Sequence, residues 1–134
     1  MNKESASQVY LAQDFNCAES VLRMANEDLK LGIPEKGLKL VGGYGGGFGC
    51  GMTCGALCGA MAAISAAKIE LRAHEDPNFK AVCSEFVNRF QNELGGVLCD
   101  DLKPRYQQEG KRCLAVVERA VDLVEAYIRQ LDKK

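Results

Sequence analysis

Hydrophobic residues recur at three- and four-residue spacing in two long segments, and this spacing predicts two amphipathic helices. One follows Asp76-Pro77, an N-cap residue with proline at the first helical position, and closes at Gly95-Gly96. The other follows Gly110. Their apolar stripes comprise Phe79, Val82, Cys83, Phe86, Val87, Phe90 and Leu94 in the first helix, and Cys113, Val116, Val117, Ala120, Val121, Val124, Tyr127, Ile128 and Leu131 in the second.

The N-terminal part of the chain carries a clear helix-start signal. Asn16 and Glu19 have the spacing of a capping box, in which each side chain accepts a hydrogen bond from the other residue's backbone N–H. We expect this helix to run to about Leu31 and to stop at Gly32, and we expect a short helix over residues 4–13. Cys17 then lies in a first turn, where free N–H groups and the helix dipole favour a thiolate.

The stretch from Val41 to Ala67 contains no charged residue. Its first part, Gly42–Gly51, is too rich in glycine for regular secondary structure, so we expect a loop, with Tyr44 and Phe48 anchoring it to the core. From about Met52 to about residue 72 the composition favours a helix that protein surrounds on most sides.

Small side chains form two rows on that predicted helix. Cys50, Cys54 and Cys58 lie at i, i+4 and i+8, and a row that begins with Gly51, Gly55 and Gly59 lies beside them. Such rows allow other helices to approach closely, and they bring thiols into the contact.

These elements predict an all-α fold. We expect one domain, residues 1–134, that forms a helical bundle of about five helices around the central Gly/Ala/Cys-rich helix, with a glycine-rich loop leading into it. The segment from Gly95 to Glu109 is expected to be a loop, interrupted by Pro104 and carrying Cys99.

Composition and charge exclude several classes of function. Apolar residues make up 47% and charged residues 26% of the chain, as in ordinary globular proteins. The net charge of -1 offers no basic stripe for nucleic acid or an anionic membrane. The N-terminus has no apolar run of signal-peptide length, so we expect a cytoplasmic protein. The uncharged stretch has too little Leu, Ile, Val and Phe for membrane insertion.

Seven cysteines are more than packing requires in a reduced protein. Their odd number argues against a framework of structural disulfides, and no Cys-x-x-Cys occurs. Cys17, Cys54 and Cys113 lie near predicted helix starts, and Cys99 lies in the loop before the last helix. If these helix starts meet at one end of the bundle, four thiols converge where N–H groups stabilise negative charge.

Four further residues have a chemical interpretation. Lys111 and Arg112 are expected to lower the pKa of the neighbouring Cys113. Cys83 lies in an apolar stripe and is expected to fill the core. His74, the single histidine, is expected to be a solvated cation at a helix end.

The order of these motifs resembles a known family. An early helix with Phe15-Asn16-Cys17, a glycine-rich loop, the run Cys54-Gly55-Ala56-Leu57-Cys58-Gly59, and two later cysteines are similar to the redox-active proteins named for their C_GCAxxG_C_C motif. The resemblance covers about residues 16–120. It implies a mainly helical domain with a redox or metal role and four key cysteines, which match Cys17, Cys54, Cys99 and Cys113 here. Cys50, Cys58 and Cys83 lie outside that pattern.

The leading hypothesis is a cytoplasmic redox or electron-transfer protein that holds an iron–sulfur cluster, expected to be [2Fe–2S], through the four matched thiolates. The backbone N–H groups of the glycine-rich loop are expected to donate hydrogen bonds to sulfur, namely those of Gly45, Gly46, Gly47, Gly49 and Gly51. One alternative is a metal-free thiol–disulfide protein. Another is a site for Zn²⁺ or copper(I) that extends to Cys50 and Cys58.

Other functional properties stay open at this level. No histidine or carboxylate is spaced as the partner of a nucleophile, so the sequence does not decide whether the protein is an enzyme. A redox protein needs a partner, which the sequence does not identify. Broad apolar stripes on a short chain leave room for a homodimer.

Overall fold

The computed structural model describes residues 3–133, with side chains from Ser5 onwards. Over that range it contains seven α-helices and no β-strand, which confirms the predicted all-α fold. The helices are α1 (Lys3–Ser7), α2 (Cys17–Leu29), α3 (Glu35–Leu38), α4 (Gly55–Lys68), α5 (Phe79–Leu94), α6 (Cys99–Tyr106) and α7 (Leu114–Asp132). Short π and 3₁₀ turns connect them at Gln8–Ala12, Lys39–Tyr44, Gly47–Gly51 and Ala73–Glu75.

Helix α4 forms the centre of the bundle. It packs against α2 and α7, which also contact each other, and α5 contacts both α7 and α4. Alanine and glycine dominate the buried positions of α4, so its neighbours approach its backbone closely. At Gly59 an added methyl group would overlap the Ala18 carbonyl oxygen and lie 3.1 Å from Ala18 Cα. No helix in residues 3–133 combines the length and apolar character needed to cross a membrane.

The predicted row of three cysteines on the central helix is wrong. Helix α4 begins at Gly55 and ends at Lys68, so Cys50 precedes it and Cys54 is its N-cap. The chain from Gly47 to Gly51 instead forms one wide turn, in which the Met52 N–H donates to the Gly47 carbonyl at 3.0 Å. Only Cys58 of the three lies within the helix.

The expected loop after Gly95 contains helix α6, with Pro104 inside it. Proline removes one backbone donor, but Leu102 is buried in the core and Asp100 and Asp101 lie in the first turn, where the helix dipole favours carboxylates. These contributions outweigh the loss of one backbone hydrogen bond at Pro104. The prediction of a loop over residues 95–109 is therefore wrong for the part that forms α6.

Helix α5 also begins later than predicted. Asn78, not Asp76, is its N-cap residue, and its first helical residue is Phe79. Asp76 accepts a hydrogen bond from the Asn78 N–H at 2.9 Å, so its side chain closes the turn before the helix rather than the helix itself.

The environments of four further side chains can be compared with the predictions. Tyr44 and Phe48 do not anchor the glycine-rich segment to the core: both are exposed, and their rings contact each other edge to face with centroids 5.4 Å apart. His74 is exposed, in a 3₁₀ turn beyond the end of α4. Cys83 is half-buried and packs against the core.

Glu125 of α7 is a carboxyl group in the core, with 1% of its surface exposed. Burial, with a hydrogen bond to Asp28 of α2 as the next cause, raises the pKa of Glu125 to about 8. The pKa of glutamate in an unfolded chain is about 4.3. Between this pH and about 8, the folded state therefore binds one more proton than the unfolded state does. The free energy of unfolding therefore falls as the pH rises from about 4.3 through about 8.

We expect Glu125→Gln to remove most of this fall, because glutamine carries no charge to desolvate. At a pH of about 9 the variant should be more stable than the natural chain by about 1–2 kcal/mol. Denaturant unfolding at several pH values measures this, with Glu93→Gln on the exposed face of α5 as the matched control. A stability that rises with pH in the natural chain and equally in the variant would contradict the assignment.

Candidate functional site

Four cysteines lie at the starts of four helices. Cys17 is the first residue of α2 and Cys99 is the first residue of α6, while Cys54 and Cys113 are the N-cap residues of α4 and α7. The predicted start of α2 at Cys17 is confirmed, whereas α4 and α7 begin about three residues later than predicted, so that Cys54 and Cys113 precede their helices as N-cap residues. Cys99 also lies at a helix start, because α6 begins there.

The predicted capping box fixes the start of α2. The Asn16 side chain accepts a hydrogen bond from the Glu19 N–H at 3.0 Å, and the Glu19 carboxylate accepts from the Asn16 N–H at 3.0 Å. The Asn16 amide group then donates to the Gly42 carbonyl at 2.8 Å. Local capping thus also holds the glycine-rich segment beside Cys17.

A single β-bridge aligns Cys54 with Cys99. Thr53 pairs with Leu98, the Cys54 N–H donates to the Val97 carbonyl at 2.7 Å, and the Cys99 N–H donates to the Met52 carbonyl at 2.6 Å. These two bonds hold the starts of α4 and α6 side by side, although 44 residues separate their first helical residues, Gly55 and Cys99.

Two glycines allow close approach at the cysteines. A methyl group on Gly55 would overlap the Cys17 sulfur and lie 2.9 Å from the Tyr44 carbonyl oxygen. A methyl group on Gly47 would lie 2.8 Å from Cys99 Cβ, and the backbone there has a φ of +65°, which favours glycine. The Cys17 side chain therefore contacts the first turn of α4, and the Cys99 side chain contacts the glycine-rich segment.

Three of the four cysteines, Cys17, Cys99 and Cys113, line one cavity of about 230 Å³. Because one water molecule occupies about 30 Å³ in the liquid, this space accommodates a group of several heavy atoms. Gly46 contributes backbone to the wall, and Lys103 and Arg112 contribute positive charge. The other lining residues are Tyr10, Asn16 and Gln107.

Cys54 lies next to these thiols, with 5% of its surface exposed. Burial raises its pKa to about 12; the backbone N–H groups of Leu57 and Ala56 oppose this shift, and Cys17 and Cys99 add to it. The structure thus brings Cys17, Cys54, Cys99 and Cys113 into one neighbourhood, with Cys17 in electrostatic contact with the other three.

The expected lowering of the Cys113 pKa is wrong in sign. Burial raises the pKa of Cys113, with Cys17 and Cys99 adding to the shift, and the positive charges of Lys103 and Arg112 offset only part of it. Burial likewise raises the pKa of Cys99. The sequence located a positive charge beside Cys113 but did not indicate how deeply the thiol is covered.

The remaining predicted residues lie around this neighbourhood. Cys58 is half-buried one turn into α4, and burial followed by the charge of Cys17 raises its pKa. Cys50 is exposed, with its thiol 3.5 Å from the Gly47 carbonyl oxygen. Of the glycines named as donors, Gly45 contacts Asn16, Gly49 faces open space, and Gly51 faces the Asp100 carboxylate.

Three residues of the cavity were not predicted from the sequence, namely Tyr10, Lys103 and Gln107. No motif marks them, and Tyr10 is separated from Cys113 by 103 positions. Within residues 3–133, no three histidine, cysteine, aspartate or glutamate side chains are grouped at metal-binding distances.

Comparison with known proteins gives one match. The family model described as "Putative redox-active protein (C_GCAxxG_C_C)" matches residues 15–127, which is more than four fifths of the chain. No curated protein and no solved structure matches. The matched range includes all four cysteines that meet at the helix starts. The chain therefore belongs to the C_GCAxxG_C_C family of putative redox-active proteins.

Proposed function

We propose that this protein carries a redox centre in which the thiolates of Cys17, Cys54, Cys99 and Cys113 hold an iron–sulfur cluster, [2Fe–2S] in type. One observation carries the proposal: three of these cysteines line a single cavity, and the fourth adjoins Cys17. A bound cluster would accept and release one electron at a time, and the cysteines would set its position.

The residue types around the cavity fit an anionic, sulfur-ligated group, and the thiols, which are not grouped at metal-binding distances in the described residues, would move closer together to bind it. Thiolates are the ligands that iron–sulfur clusters use, and four of them bind a [2Fe–2S] cluster. Four helix starts direct backbone N–H groups towards this region, and Lys103 and Arg112 add positive charge at its rim. Because burial raises the pKa of Cys54, Cys99 and Cys113, cluster binding would release protons from these thiols and would weaken as the pH falls.

The proposal includes a location and a partner. A centre with free thiols suits the reducing cytoplasm, where the sequence predicts this protein. The centre would exchange electrons with a partner redox protein, and a homodimer is compatible with this role.

Anaerobic purification tests the proposal. The visible absorption spectrum, together with iron and acid-labile sulfide determination and native mass spectrometry, should show two irons and two sulfides per chain, as the [2Fe–2S] formula requires. Zinc or copper in place of iron would favour the soft-metal alternative. A colourless, metal-free chain after anaerobic preparation and attempted reconstitution would contradict the cluster.

A metal-free thiol–disulfide function is the second candidate. It is favoured by the position of the Cys17 sulfur against Gly55, the residue after Cys54, and by the cavity that Cys17 shares with Cys99 and Cys113. Two thiols would form one S–S bond and pass two electrons and two protons to a partner disulfide, which becomes two thiols. Mild oxidation would then remove two or four free thiols reversibly, and peptide mapping would distinguish the three possible pairings of the four cysteines.

A further inference from the structure

Tyr10 lies in the π turn Gln8–Ala12, before the residues that the family model matches. Its side chain is buried, with 5% of its surface exposed, and it lines the same cavity as Cys17, Cys99 and Cys113. The N-terminal segment therefore supplies one wall of the cysteine site. A phenol is the only side chain in this wall that combines an apolar ring with a hydroxyl donor.

The Tyr10 hydroxyl is already oriented by one hydrogen bond. Its oxygen accepts from the Cys113 backbone N–H at 3.1 Å. A phenol oxygen that accepts such a bond still carries its own hydrogen, which is available to donate. This bond places the hydroxyl at the start of α7, in the wall of the cavity that Cys113 and Cys17 also line.

Arg112 holds the ring of Tyr10 in place. Its guanidinium group lies 4.3 Å from the ring centroid and donates a hydrogen bond to the Tyr10 carbonyl oxygen. The same guanidinium group forms an ion pair with Asp14 at 3.4 Å. The contact of Arg112 with the ring and the hydrogen bond from the Cys113 N–H together position the hydroxyl at the cavity.

We infer that Tyr10 is the hydrogen-bond donor of the cysteine site, and that its O–H donates to sulfur at the Cys113 and Cys17 side of the cavity. This inference rests on the proposed redox role of these cysteines, and it adds a residue that the cysteine motif does not contain. A hydrogen bond donated to sulfur stabilises negative charge there. It therefore makes the thiols more reactive at neutral pH and makes the reduced centre easier to form.

The test compares Tyr10→Phe with Tyr106→Phe. Tyr106 is a matched control because its hydroxyl also donates a hydrogen bond, to the Leu94 carbonyl at 2.8 Å, but does not line the cavity. In reduced, metal-free protein at neutral pH, the alkylation rate of each cysteine is measured by mass spectrometry. Tyr10→Phe should slow alkylation of Cys113 or Cys17 about tenfold, and Cys83 in the same molecule should be unchanged.

A second variant separates hydrogen-bond donation from a merely structural role. Site-specific replacement of Tyr10 by a ring-fluorinated tyrosine keeps the ring and hydroxyl but makes the O–H a stronger donor. It should speed alkylation of the cysteine that Tyr10→Phe slows, and it should raise the midpoint potential of the centre, which Tyr10→Phe should lower. Equal rates in all variants, or shifts in the same direction for both replacements of Tyr10, would overturn the inference.

These results also separate this inference from the proposed function. A protein that binds no cluster but shows opposite alkylation shifts supports the role of Tyr10 and contradicts the cluster. A protein that binds a cluster but shows no shift contradicts the role of Tyr10 alone.

Discussion

Cys17→Ser is expected to abolish the redox centre, with loss of nearly all bound iron and sulfide. Cys17 rests on Gly55 at the start of α4 and lines the cavity with Cys99 and Cys113. Because Gly55 directly follows Cys54, Cys17 also lies beside the fourth matched cysteine. A hydroxyl group does not replace a thiolate as a cluster ligand, because its oxygen stays protonated and is not a soft donor.

Cys83→Ser is the matched control for this experiment. It makes the same change in a half-buried cysteine on α5, outside the cavity, and should leave iron and sulfide content unchanged. Cys50→Ser and Cys58→Ser test whether the site extends to these two thiols. Unchanged iron and sulfide content supports a four-cysteine site, and halved content supports the larger site. If Cys17→Ser retained the iron content of the natural chain, the proposed ligand set would be wrong.

Gly59→Ala is expected to lower the free energy of unfolding by about 2–3 kcal/mol. In an ordinary helix this change is stabilising, because alanine has the higher helix propensity. Here the added methyl group would overlap the Ala18 carbonyl oxygen, which belongs to the backbone of α2 and does not rotate away. The two helices must separate to accept it, so dispersion contacts along the α2–α4 interface are lost.

The control for this substitution is Gly43→Ala, since no atom lies within 4 Å of the position a methyl group would take there. It should change stability by no more than about 0.5 kcal/mol. Because α2 begins at Cys17, Gly59→Ala should also weaken metal retention by the four-cysteine site. Chemical denaturation of both variants measures the effect, and a Gly59→Ala chain as stable as its Gly43→Ala counterpart would show that α2 is not held against α4 here.

Several local features were predictable because short-range interactions determine them. The capping box of Asn16 and Glu19 depends on residues three positions apart, and it forms as predicted. The stripes of α5 and α7 follow from three- and four-residue spacing, and Phe86, Phe90 and Val124 are buried as expected. Helix starts at three of the four cysteines follow from the same kind of signal.

Other features were not predictable because distant residues decide them. Pro104 led to the prediction of a loop, but burial of Leu102 stabilises helix α6, which continues through Pro104. Cys50 has a helical spacing from Cys54, yet the turn closed by Met52 and Gly47 separates it from α4. The pKa of Cys113 depends on how the N-terminal segment covers the thiol, and no spacing in the sequence reports that.

The sequence alone determined the helical class of this protein, the approximate positions of its main helices and its cysteine motif, because these depend on periodicity, capping and residue type. Only the tertiary structure decided that Cys17, Cys99 and Cys113 share a cavity with Cys54 beside them, and that Tyr10 completes its wall. Those contacts join residues up to about 100 positions apart. They form because the glycines at positions 55 and 59 allow α2 to pack directly against α4. This packing exists only in the folded bundle.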